Sequence, residues 1–558
     1  MYGLGKIAAA SLQLLSLHAS LTSAGSLPPH IQRLVKKQVP AEPADVKTIT
    51  SPGGATIRYK EPGKEGVCET TEGVNSYSGY VDLDEKTHMF FWFFEARHDP
   101  DNAPLTLWLN GGPGSDSLIG LFEELGPCNV THTGESVVNP YAWNEVSNLL
   151  FLSQPLGVGF SYEDEVVGVI NGTGFPVNSS TPDGRYSDVD PYRTDTTELA
   201  AKGTWEILQG FIEELPVLDA TVKSRSFNLW TESYGGHYGP GFFKYFYDQN
   251  ELIKSGNAPG VELNMHTLGI INGIISEKIQ APYYPKMAYE NTYGIQGVNE
   301  SIYNYMLQNY YFPGACRDSI DACTSSDRST PDGKAVCSQA TAICRTLVES
   351  PFYEVSGRSP YDIRAKIDAQ IPPGYWTEYL NTAAVQNAIG VDVNYTSTSS
   401  EQVYIGFDYT GDFVYPNLFT DLEDLLAKNV RIALIYGDAD YICNWMGGEA
   451  VSLAVNYTHS DDFRSAGYAP LTVDGVEYGE SRQYGNFSFT RVYESGHEVP
   501  YYQPKAALEL FRRALGDLVL ADGAEKVTPT YKSEGTTNAT HTNSYSTYFT
   551  GRPGDWKH

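Results

Sequence analysis

Short, almost uninterrupted apolar runs are the feature that most limits what this chain can fold into. Six of them have the length of a strand, and several are bounded by Gly or Asn: Met89–Phe94, Leu105–Leu109, Leu149–Leu152, Phe227–Trp230, Leu268–Ile271 and Val430–Tyr436. Strands covered on both faces have this composition. Because helical stretches separate the runs, the sequence predicts an α/β fold with a mostly parallel central sheet flanked by helices.

One long segment, residues 275–380, interrupts this rhythm and carries four cysteines. We interpret it as a cap insertion in a catalytic domain formed by residues 46–274 and 381–519. Cys316, Cys323, Cys337 and Cys344 are spaced by 7, 14 and 7 residues, and this symmetry favours nested bridges, Cys316–Cys344 around Cys323–Cys337. A zinc site is the alternative, but no C-x-x-C motif and no nearby histidine supports it. A segment with little core of its own is commonly stapled by disulfides.

The ends of the chain indicate export. Residues 1–24 have a basic start at Lys6, an apolar stretch and a small-x-small site at Thr22 and Ala24, which is typical of a secretory signal peptide. Residues 25–45 are Pro-rich and predict an extended lead-in or pro-segment, and residues 520–558 predict a flexible Ser/Thr-rich tail. We therefore expect a secreted protein, or a vacuolar one, since both enter by the same signal. No membrane anchor is expected.

The sequons and the net charge of the chain indicate which molecules it can carry or bind. Eight N-x-S/T sequons make N-glycans expected partners, at Asn129, Asn171, Asn178, Asn299, Asn394, Asn456, Asn486 and Asn538. The formal net charge is −30, which opposes binding to nucleic acid or to anionic membranes.

Ser233 is the candidate nucleophile. The apolar run Phe227–Trp230 leads into Thr-Glu-Ser-Tyr-Gly-Gly, and a helical segment follows. A nucleophile elbow needs this layout, because the serine sits on a sharp strand-to-helix turn and a glycine two residues later lets the helix pack closely. The usual pattern is G-x-S-x-G, and Thr231 replaces its first glycine here. A passive serine in a glycine-rich turn is the alternative interpretation.

A serine of this kind needs a histidine base and a carboxylate that orients the base. In this fold the chain order is Ser, then Asp or Glu, then His, each at the end of a strand. His497 fits best, because the other histidines after residue 440 lie beside a sequon or in the tail. Asp438 and Asp440 both follow the strand Val430–Tyr436, and the pattern does not choose between them.

An oxyanion hole needs two N–H donors aimed at the developing charge. One donor comes from the residue after the nucleophile, Tyr234. The other comes from an early loop at a strand end, and the Asn-Gly-Gly-Pro-Gly sequence from Asn110 to Gly114 fits, because Gly111 and Gly112 let the backbone approach the substrate closely.

Four motifs in this order resemble the serine carboxypeptidase family, from about residue 60 to about residue 515. They are Trp108-Leu-Asn-Gly-Gly-Pro-Gly, Glu232-Ser-Tyr-Gly-Gly-His-Tyr, Gly437-Asp-Ala-Asp-Tyr-Ile-Cys-Asn-Trp and Ser495-Gly-His-Glu-Val-Pro. The resemblance implies an α/β-hydrolase fold and the release of residues from peptide C-termini. It also implies Asp440 as the triad carboxylate, Gly112 and Tyr234 as oxyanion donors and Cys443 as a thiol near the site. The network for the substrate carboxylate would comprise Trp108, Asn110, Gly111, Glu124 and Glu232.

The residue types of this network imply a dependence on acid. No arginine lies in the motifs, so Asn110 must donate from its amide and Glu232 can donate only when protonated. Like charge and burial raise the pKa of such a carboxyl group. We therefore expect peptide hydrolysis to favour acid pH, although His497 must be neutral to act as the base.

The chain departs from the family pattern at three positions. Ser115 stands where members often have Cys, Ser153 where Asp often precedes Gln-Pro, and Thr231 where Gly often precedes Glu-Ser. The bridge made at position 115 is therefore absent, and Cys68–Cys128 is the expected replacement, which leaves Cys443 free.

Two further acids indicate a substrate preference. By family geometry Glu123 and Glu498 should lie near the pocket for the leaving residue, where apolar side chains are frequent. Two carboxylates there would favour Lys or Arg by charge pairing, whereas solvated surface glutamates are the alternative.

Other functions remain open at this point. Acyltransferases, esterases and hydroxynitrile lyases share the scaffold, and a non-catalytic binding protein of hydrolase type is a further alternative. Asn110, Glu124 and Glu232 argue against an esterase, and the three filled triad positions argue against a binding protein. No cofactor and no metal are expected.

Overall fold

The computed structural model describes residues 39–51, 53–415 and 418–543. The predicted signal peptide, most of the predicted lead-in and the last part of the predicted tail lie outside the described residues. Within them, no helix combines the length and the apolar character that crossing a membrane requires.

Three sheets contain the strands. Their bounds are β1 Lys47–Thr50, β2 Thr56–Lys60, β3 Ser76–Asp84, β4 Thr87–Phe94, β5 Leu105–Leu109, β6 Cys128–Val130, β7 Ser136–Val138, β8 Asn148–Leu152, β9 Asp164–Ile170, β10 Pro176–Asn178, β11 Gly184–Asp188, β12 Ser226–Glu232, β13 Asn264–Ile271, β14 Arg431–Gly437, β15 Ala469–Val473, β16 Val476–Tyr484 and β17 Phe487–Val492. Each of the six apolar runs forms a strand, as predicted, although Val430 lies one residue before β14.

The helices follow mainly after β11. Their bounds are α1 Thr197–Leu218, α2 Gly235–Lys254, α3 Glu277–Gln280, α4 Tyr283–Tyr289, α5 Glu300–Tyr311, α6 Cys316–Thr324, α7 Pro331–Cys344, α8 Pro351–Ser356, α9 Trp376–Leu380, α10 Ala383–Ile389, α11 Glu401–Thr410, α12 Leu418–Ala427, α13 Trp445–Ala454, α14 Ser460–Arg464, α15 Val499–Tyr502 and α16 Pro504–Leu515. A short π-helix spans Gly120–Glu124.

The large sheet has twelve strands in the order β1-β2-β3-β4-β8-β5-β12-β13-β14-β17-β16-β15. Its centre, from β8 to β17, is parallel at every neighbouring pair, and the two flanks are antiparallel. The prediction of a parallel central sheet is confirmed. Because parallel strands end at the same edge, the loops after β5, β12, β13, β14 and β17 meet there.

Alternation of side chains explains the unbroken apolar runs. On β14, Ile432 and Leu434 face one buried core with helices α1 and α2, whereas Ala433 and Ile435 face a second core with α16. Successive side chains of a strand point to opposite faces, so a strand covered on both faces needs apolar residues at every position.

The helical insertion is longer than the sequence predicts. The described residues between β13 and β14, from 272 to 430, form helices joined by loops and contain no named strand, whereas the predicted cap ends at residue 380. The reason is contact on both sides: α10 packs on β2 and β3 of the sheet, while α11 packs on the cap helix α7. The later helices thus join the cap to the sheet, and no composition change marks a boundary.

The first part of the predicted flexible tail is ordered against the sheet. Leu520 and Ser533 are buried, and Ser533 donates its backbone N–H to the Gln483 carbonyl at 3.0 Å. Further along, the His541 ring stacks on Tyr493 with 3.7 Å between centroids. Main-chain pairing with the outer strands holds this Ser/Thr-rich segment, a contact that composition alone does not reveal.

Three disulfides join the predicted cysteines. They are Cys68–Cys128, Cys316–Cys344 and Cys323–Cys337, and Cys443 is free and buried. The last two staple α6 to α7 as a helical hairpin in the cap. The first links two segments 60 residues apart, next to the π-helix that carries Glu124.

Removal of the Cys68–Cys128 bridge should destabilise the catalytic domain. Replacing both cysteines by Ala should lower the free energy of unfolding by about 2–4 kcal/mol, because the unfolded chain gains conformational freedom. Denaturant titration measures the loss. Thiol labelling of unfolded, unreduced protein gives the control: one reactive thiol in the wild type and two after Cys68→Ala alone. No reactive thiol in Cys68→Ala, or a second labelled position other than Cys128, would contradict the pairing.

Candidate active site

Ser233 lies on a strained turn between β12 and α2. Its φ is +64°, a left-handed conformation that non-glycine residues rarely adopt and that clusters at active sites. The turn is held by two backbone bonds, from Ser233 N–H to the Ile271 carbonyl at 3.1 Å and from Ile274 N–H to the Ser233 carbonyl at 2.9 Å. A Cβ at Gly236 would lie 2.4 Å from the Ile274 carbonyl oxygen, so the helix needs glycine to approach β13. These features form a nucleophile elbow.

His497 lies against Asp440. Its Nδ1 is 2.8 Å from Asp440 Oδ2, and both side chains are buried. The loops after β14 and β17 bring them together, because these strands are parallel neighbours. With Nδ1 facing the carboxylate, Nε2 is the ring nitrogen left for a substrate or a hydroxyl group.

Asp438 has different partners. It accepts hydrogen bonds from Tyr293 at 2.5 Å and Asn543 at 2.6 Å, and it pairs with the fully buried Arg491 at 3.1 Å. The sequence pattern did not decide whether Asp438 or Asp440 is the carboxylate that orients His497. In the structure Asp440 contacts the histidine, whereas Asp438 pairs with Arg491.

Asn272 is a site residue that the sequence analysis missed. Its amide donates to Asp440 Oδ2 at 2.7 Å, and its oxygen accepts from the Gly437 N–H at 2.9 Å. It therefore fixes the carboxylate relative to the end of β14. The available signal was its position directly after the apolar run of β13, at the sheet edge where the loops converge.

The Cys443 thiol lies in the same group. Burial raises its pKa well above the usual value and Asp440 raises it further, while Ser233 opposes the rise, so the thiol stays protonated. Ligand-type atoms of Asp440, Cys443 and His497 lie within 4.8 Å of one another, although Asp440 already accepts bonds from His497, Asn272 and the Cys443 N–H. The expectation that no metal binds stays a prediction.

The glycine loop after β5 lies against the elbow. A Cβ at Gly111 would be 2.2 Å from the backbone nitrogen of Tyr234 and 2.9 Å from Ser233 Cβ. Gly112 has a φ of +106°, which favours glycine. The two backbone segments predicted to supply oxyanion donors are therefore adjacent.

Asn110 is the centre of a buried polar cluster beside Ser233. Its oxygen accepts from Trp108 Nε1 at 2.7 Å and from the Gly120 N–H at 2.9 Å. Its amide donates to Glu124 Oε1 and to Glu232 Oε1, each at 3.2 Å. The five residues predicted for a carboxylate network thus lie together.

Burial of these two carboxyl groups favours their protonated forms. Burial raises the pKa of Glu232 well above its usual value, and Glu124 raises it further by like charge; burial also raises the pKa of Glu124. The Oε2 atoms of both acids are buried, and none of the described residues donates to them, so a proton carried by Glu232 and donated to Glu124 would satisfy both.

Glu123 and Glu498 extend the acidic cluster instead of lying on the open surface. Glu123 accepts from Trp376 Nε1 at 2.5 Å, and burial raises its pKa to about 8. Burial and then Glu123 raise the pKa of Glu498 well above its usual value. The interpretation as solvated glutamates is therefore wrong, because both acids are half-buried and close to each other.

The sequons differ in exposure. Asn178, Asn299, Asn456 and Asn538 are exposed, and Asn129, Asn171 and Asn486 are half-buried. Asn394 is 3% exposed and its oxygen accepts from the Arg185 N–H at 2.8 Å. Burial of the Asn394 side chain opposes a glycan at this position in the folded protein, and glycosylation of the other sequons stays a prediction.

A central parallel sheet, a serine at the elbow after a middle strand and a His–Asp pair on the following strand ends define an α/β-hydrolase of the serine type. A profile of the serine carboxypeptidase family matches residues 62–517. The chain belongs to the serine carboxypeptidase family and is a peptide-hydrolysing exopeptidase.

Similar sequences and a similar solved structure support this family assignment. The chain is 42% identical over 537 residues to carboxypeptidase S1 homolog B of Arthroderma otae, covering 88% of this chain and 80% of that one. It is 38% identical to carboxypeptidase S1 of Penicillium janthinellum, covering 81% and 97%. The crystal structure of Kex1Δp, a prohormone-processing carboxypeptidase of Saccharomyces cerevisiae, is similar in fold, with a TM-score of 0.63, 22% identity and coverage of 83% and 96%.

The two aspartates after β14 should respond differently to neutralisation. Asp440→Asn should lower kcat by roughly 10⁴-fold with little loss of stability, because His497 loses the acceptor that orients its ring. Asp438→Asn should instead lower the free energy of unfolding by about 3 kcal/mol, because the buried Arg491 loses one of its two carboxylate partners and keeps only Glu480. Turnover per folded molecule, paired with denaturant unfolding, separates them. Equal effects of the two variants on turnover would contradict this assignment.

Proposed function

We propose that this carboxypeptidase releases C-terminal residues at acid pH through an acyl-enzyme on Ser233, with Asp440 and His497 as its partners and a preference for Lys or Arg. The observation that carries the proposal is the bonding of Asn110 to both Glu124 and Glu232, because Glu232 directly precedes Ser233. A site for a terminal carboxylate then adjoins the nucleophile.

The reaction uses ordinary acyl transfer. His497 Nε2 takes the proton of the Ser233 hydroxyl as its oxygen attacks the last peptide carbonyl. The backbone N–H groups of Gly112 and Tyr234 receive the oxyanion. The protonated His497 then gives its proton to the leaving amine, and the C–N bond breaks. Water, deprotonated by His497, attacks the ester and releases the shortened peptide.

Binding of the terminal carboxylate explains exopeptidase action. The donors in the cluster are the Asn110 amide and a protonated Glu232, which are bonded to each other, and Glu232 directly precedes the nucleophile. A carboxylate held there aligns the last peptide bond with Ser233. An internal segment of a peptide brings no carboxylate, so it would leave the protonated acids without an anion.

A buried acid pair makes this binding dependent on pH. A carboxyl group with a raised pKa keeps its proton below that pKa and loses it as the pH rises through it. Above that pH the cluster becomes anionic and repels the substrate carboxylate. His497 sets the opposite limit, because it must be neutral to accept the serine proton.

Glu123 and Glu498 support a preference for a basic leaving residue. Their raised pKa values keep them neutral at acid pH, so a neutral or apolar residue is not repelled. A Lys or Arg side chain would stabilise their ionised forms and displace protons from the pair. The preference should therefore grow as the pH rises.

We also propose export. Three disulfides and four exposed sequons support an oxidising, glycosylating route. One relative, 33% identical, is a vacuolar serine-type carboxypeptidase of Saccharomyces cerevisiae, so both a secreted and a vacuolar destination agree with the proposal.

The pH dependence of peptide hydrolysis should appear mainly in KM. For a peptide with a free C-terminus, KM should rise by roughly 10-fold for each pH unit above the pKa of the acid pair. Glu232→Gln should flatten this rise, because an amide donates at every pH. An amidated peptide is the control, since it brings no carboxylate and its KM should not follow pH in this way. An unchanged pH profile in Glu232→Gln would contradict the proposed donor.

The preference for basic residues should depend on the two outer acids. Glu123→Gln with Glu498→Gln should lower the ratio of kcat/KM for Arg-ended over Leu-ended peptides by roughly 10-fold or more near neutral pH, and by less at acid pH. Glu135→Gln with Glu477→Gln removes the same charge from exposed positions and should leave the ratio unchanged. A ratio that does not respond to the inner pair would rule out this pocket.

A further inference from the structure

Asp412 is a fully buried carboxylate that the reaction outlined above does not use. It follows α11, and its Oδ2 accepts from the Tyr234 hydroxyl at 2.8 Å, from the Thr197 hydroxyl at 2.5 Å and from the Thr197 N–H at 3.1 Å. Thr197 begins α1, and Tyr234 directly follows the nucleophile. One carboxylate therefore ties a helix start to the residue that carries an oxyanion donor.

The other oxygen of Asp412 binds a cation from the cap. Arg328 Nη1 donates to Asp412 Oδ1 at 2.9 Å, and the Arg328 guanidinium lies over the Tyr415 ring at 3.6 Å. The Arg328 side chain is 8% exposed, so the pair is shielded from solvent. Arg328 lies in the turn between α6 and α7, inside the loop closed by Cys323–Cys337.

Ring stacking also restrains the Tyr234 side chain. Its ring stacks on His237 with centroids 4.4 Å apart and an angle of 15° between planes, and it is fully buried. Only the hydroxyl reaches Asp412. Because both the ring and the hydroxyl group of Tyr234 are held by contacts, its backbone has little freedom to move. The direction of its backbone N–H is therefore restrained as well.

We propose that Asp412 and Arg328 are positioning residues, through which the cap holds the Tyr234 backbone N–H in line with the oxyanion. The proposal rests on the proposed function, in which Tyr234 is an oxyanion donor. Its physical reason is that an oxyanion hole acts only when its donors are preorganised, and a small displacement of a donor costs a large factor in rate. The cap would then contribute to turnover itself.

A purely structural ion pair is the competing explanation, and the same hairpin offers a matched control. Lys334 in α7 pairs with the buried Asp195 at 3.0 Å, and this bond also joins the cap to the segment before α1. The hydrogen bonds of the Tyr234 hydroxyl and of Asp412 described above do not involve Lys334. Loss of Lys334 removes one ion pair of the hairpin, and loss of Arg328 removes two, with Asp412 and with the exposed Glu198. Only loss of Arg328 alters the hydrogen bonding of Asp412 to Tyr234.

The test compares Arg328→Met, Arg328→Lys, Tyr234→Phe and Lys334→Met, with turnover measured per folded molecule. Arg328→Met should lower kcat by roughly 10-fold to 100-fold with KM unchanged. A peptide aldehyde, whose adduct with Ser233 carries the oxyanion, should lose affinity by the same factor. Arg328→Lys should recover part of kcat, because it restores the charge. Combining Arg328→Met with Tyr234→Phe should cost no more than Tyr234→Phe alone, because both act through one hydroxyl.

Lys334→Met should lower the melting temperature as Arg328→Met does, yet leave kcat unchanged. The proposal is overturned if Arg328→Met changes only stability or KM, if Lys334→Met lowers kcat equally, or if the double variant multiplies the two losses. Failure of the proposed function gives a different result, because wild-type hydrolysis would then persist after Ser233→Ala.

Discussion

Parallel alignment of the central strands is the constraint on which the rest of the structure depends. Five neighbouring pairs, from β8 to β17, run in the same direction, so their carboxyl ends share one edge of the sheet. Ser233, Asn272, Asp440 and His497 lie just beyond successive strands at that edge. Residues separated by up to 264 positions in the chain meet because neighbouring strands are about 5 Å apart.

Burial then gives the site its chemistry. Placed at that edge, Glu124 and Glu232 both have a raised pKa, so the pair keeps a proton to a higher pH than two exposed glutamates would. Glu123 and Glu498 add to the same cluster. By contrast, Asp438 is equally buried but is paired with Arg491, which compensates its charge. The difference between Asp438 and these four glutamates therefore lies in the guanidinium group that faces Asp438.

The sequence made the sheet and the elbow predictable because their requirements are local. A strand covered on both faces must be apolar throughout, and a sharp turn before a helix needs small residues after Ser233. The extent of the cap and the course of residues 520–543 were not predictable in this way. They depend on contacts such as α10 on β3, or Ser533 on Gln483, between segments far apart in the chain.

By itself, the sequence determined the α/β class, the candidate nucleophile and base, and the family, because these rest on local patterns and on ordered motifs. Only the tertiary structure chose Asp440 over Asp438 as the partner of His497, revealed Asn272, buried the Asn394 sequon and joined Arg328 to Tyr234 through Asp412. Each of these depends on which side chains face one another in space. Two aspartates separated by one residue carry the same local signal, and only packing tells which one meets an imidazole and which one meets a guanidinium.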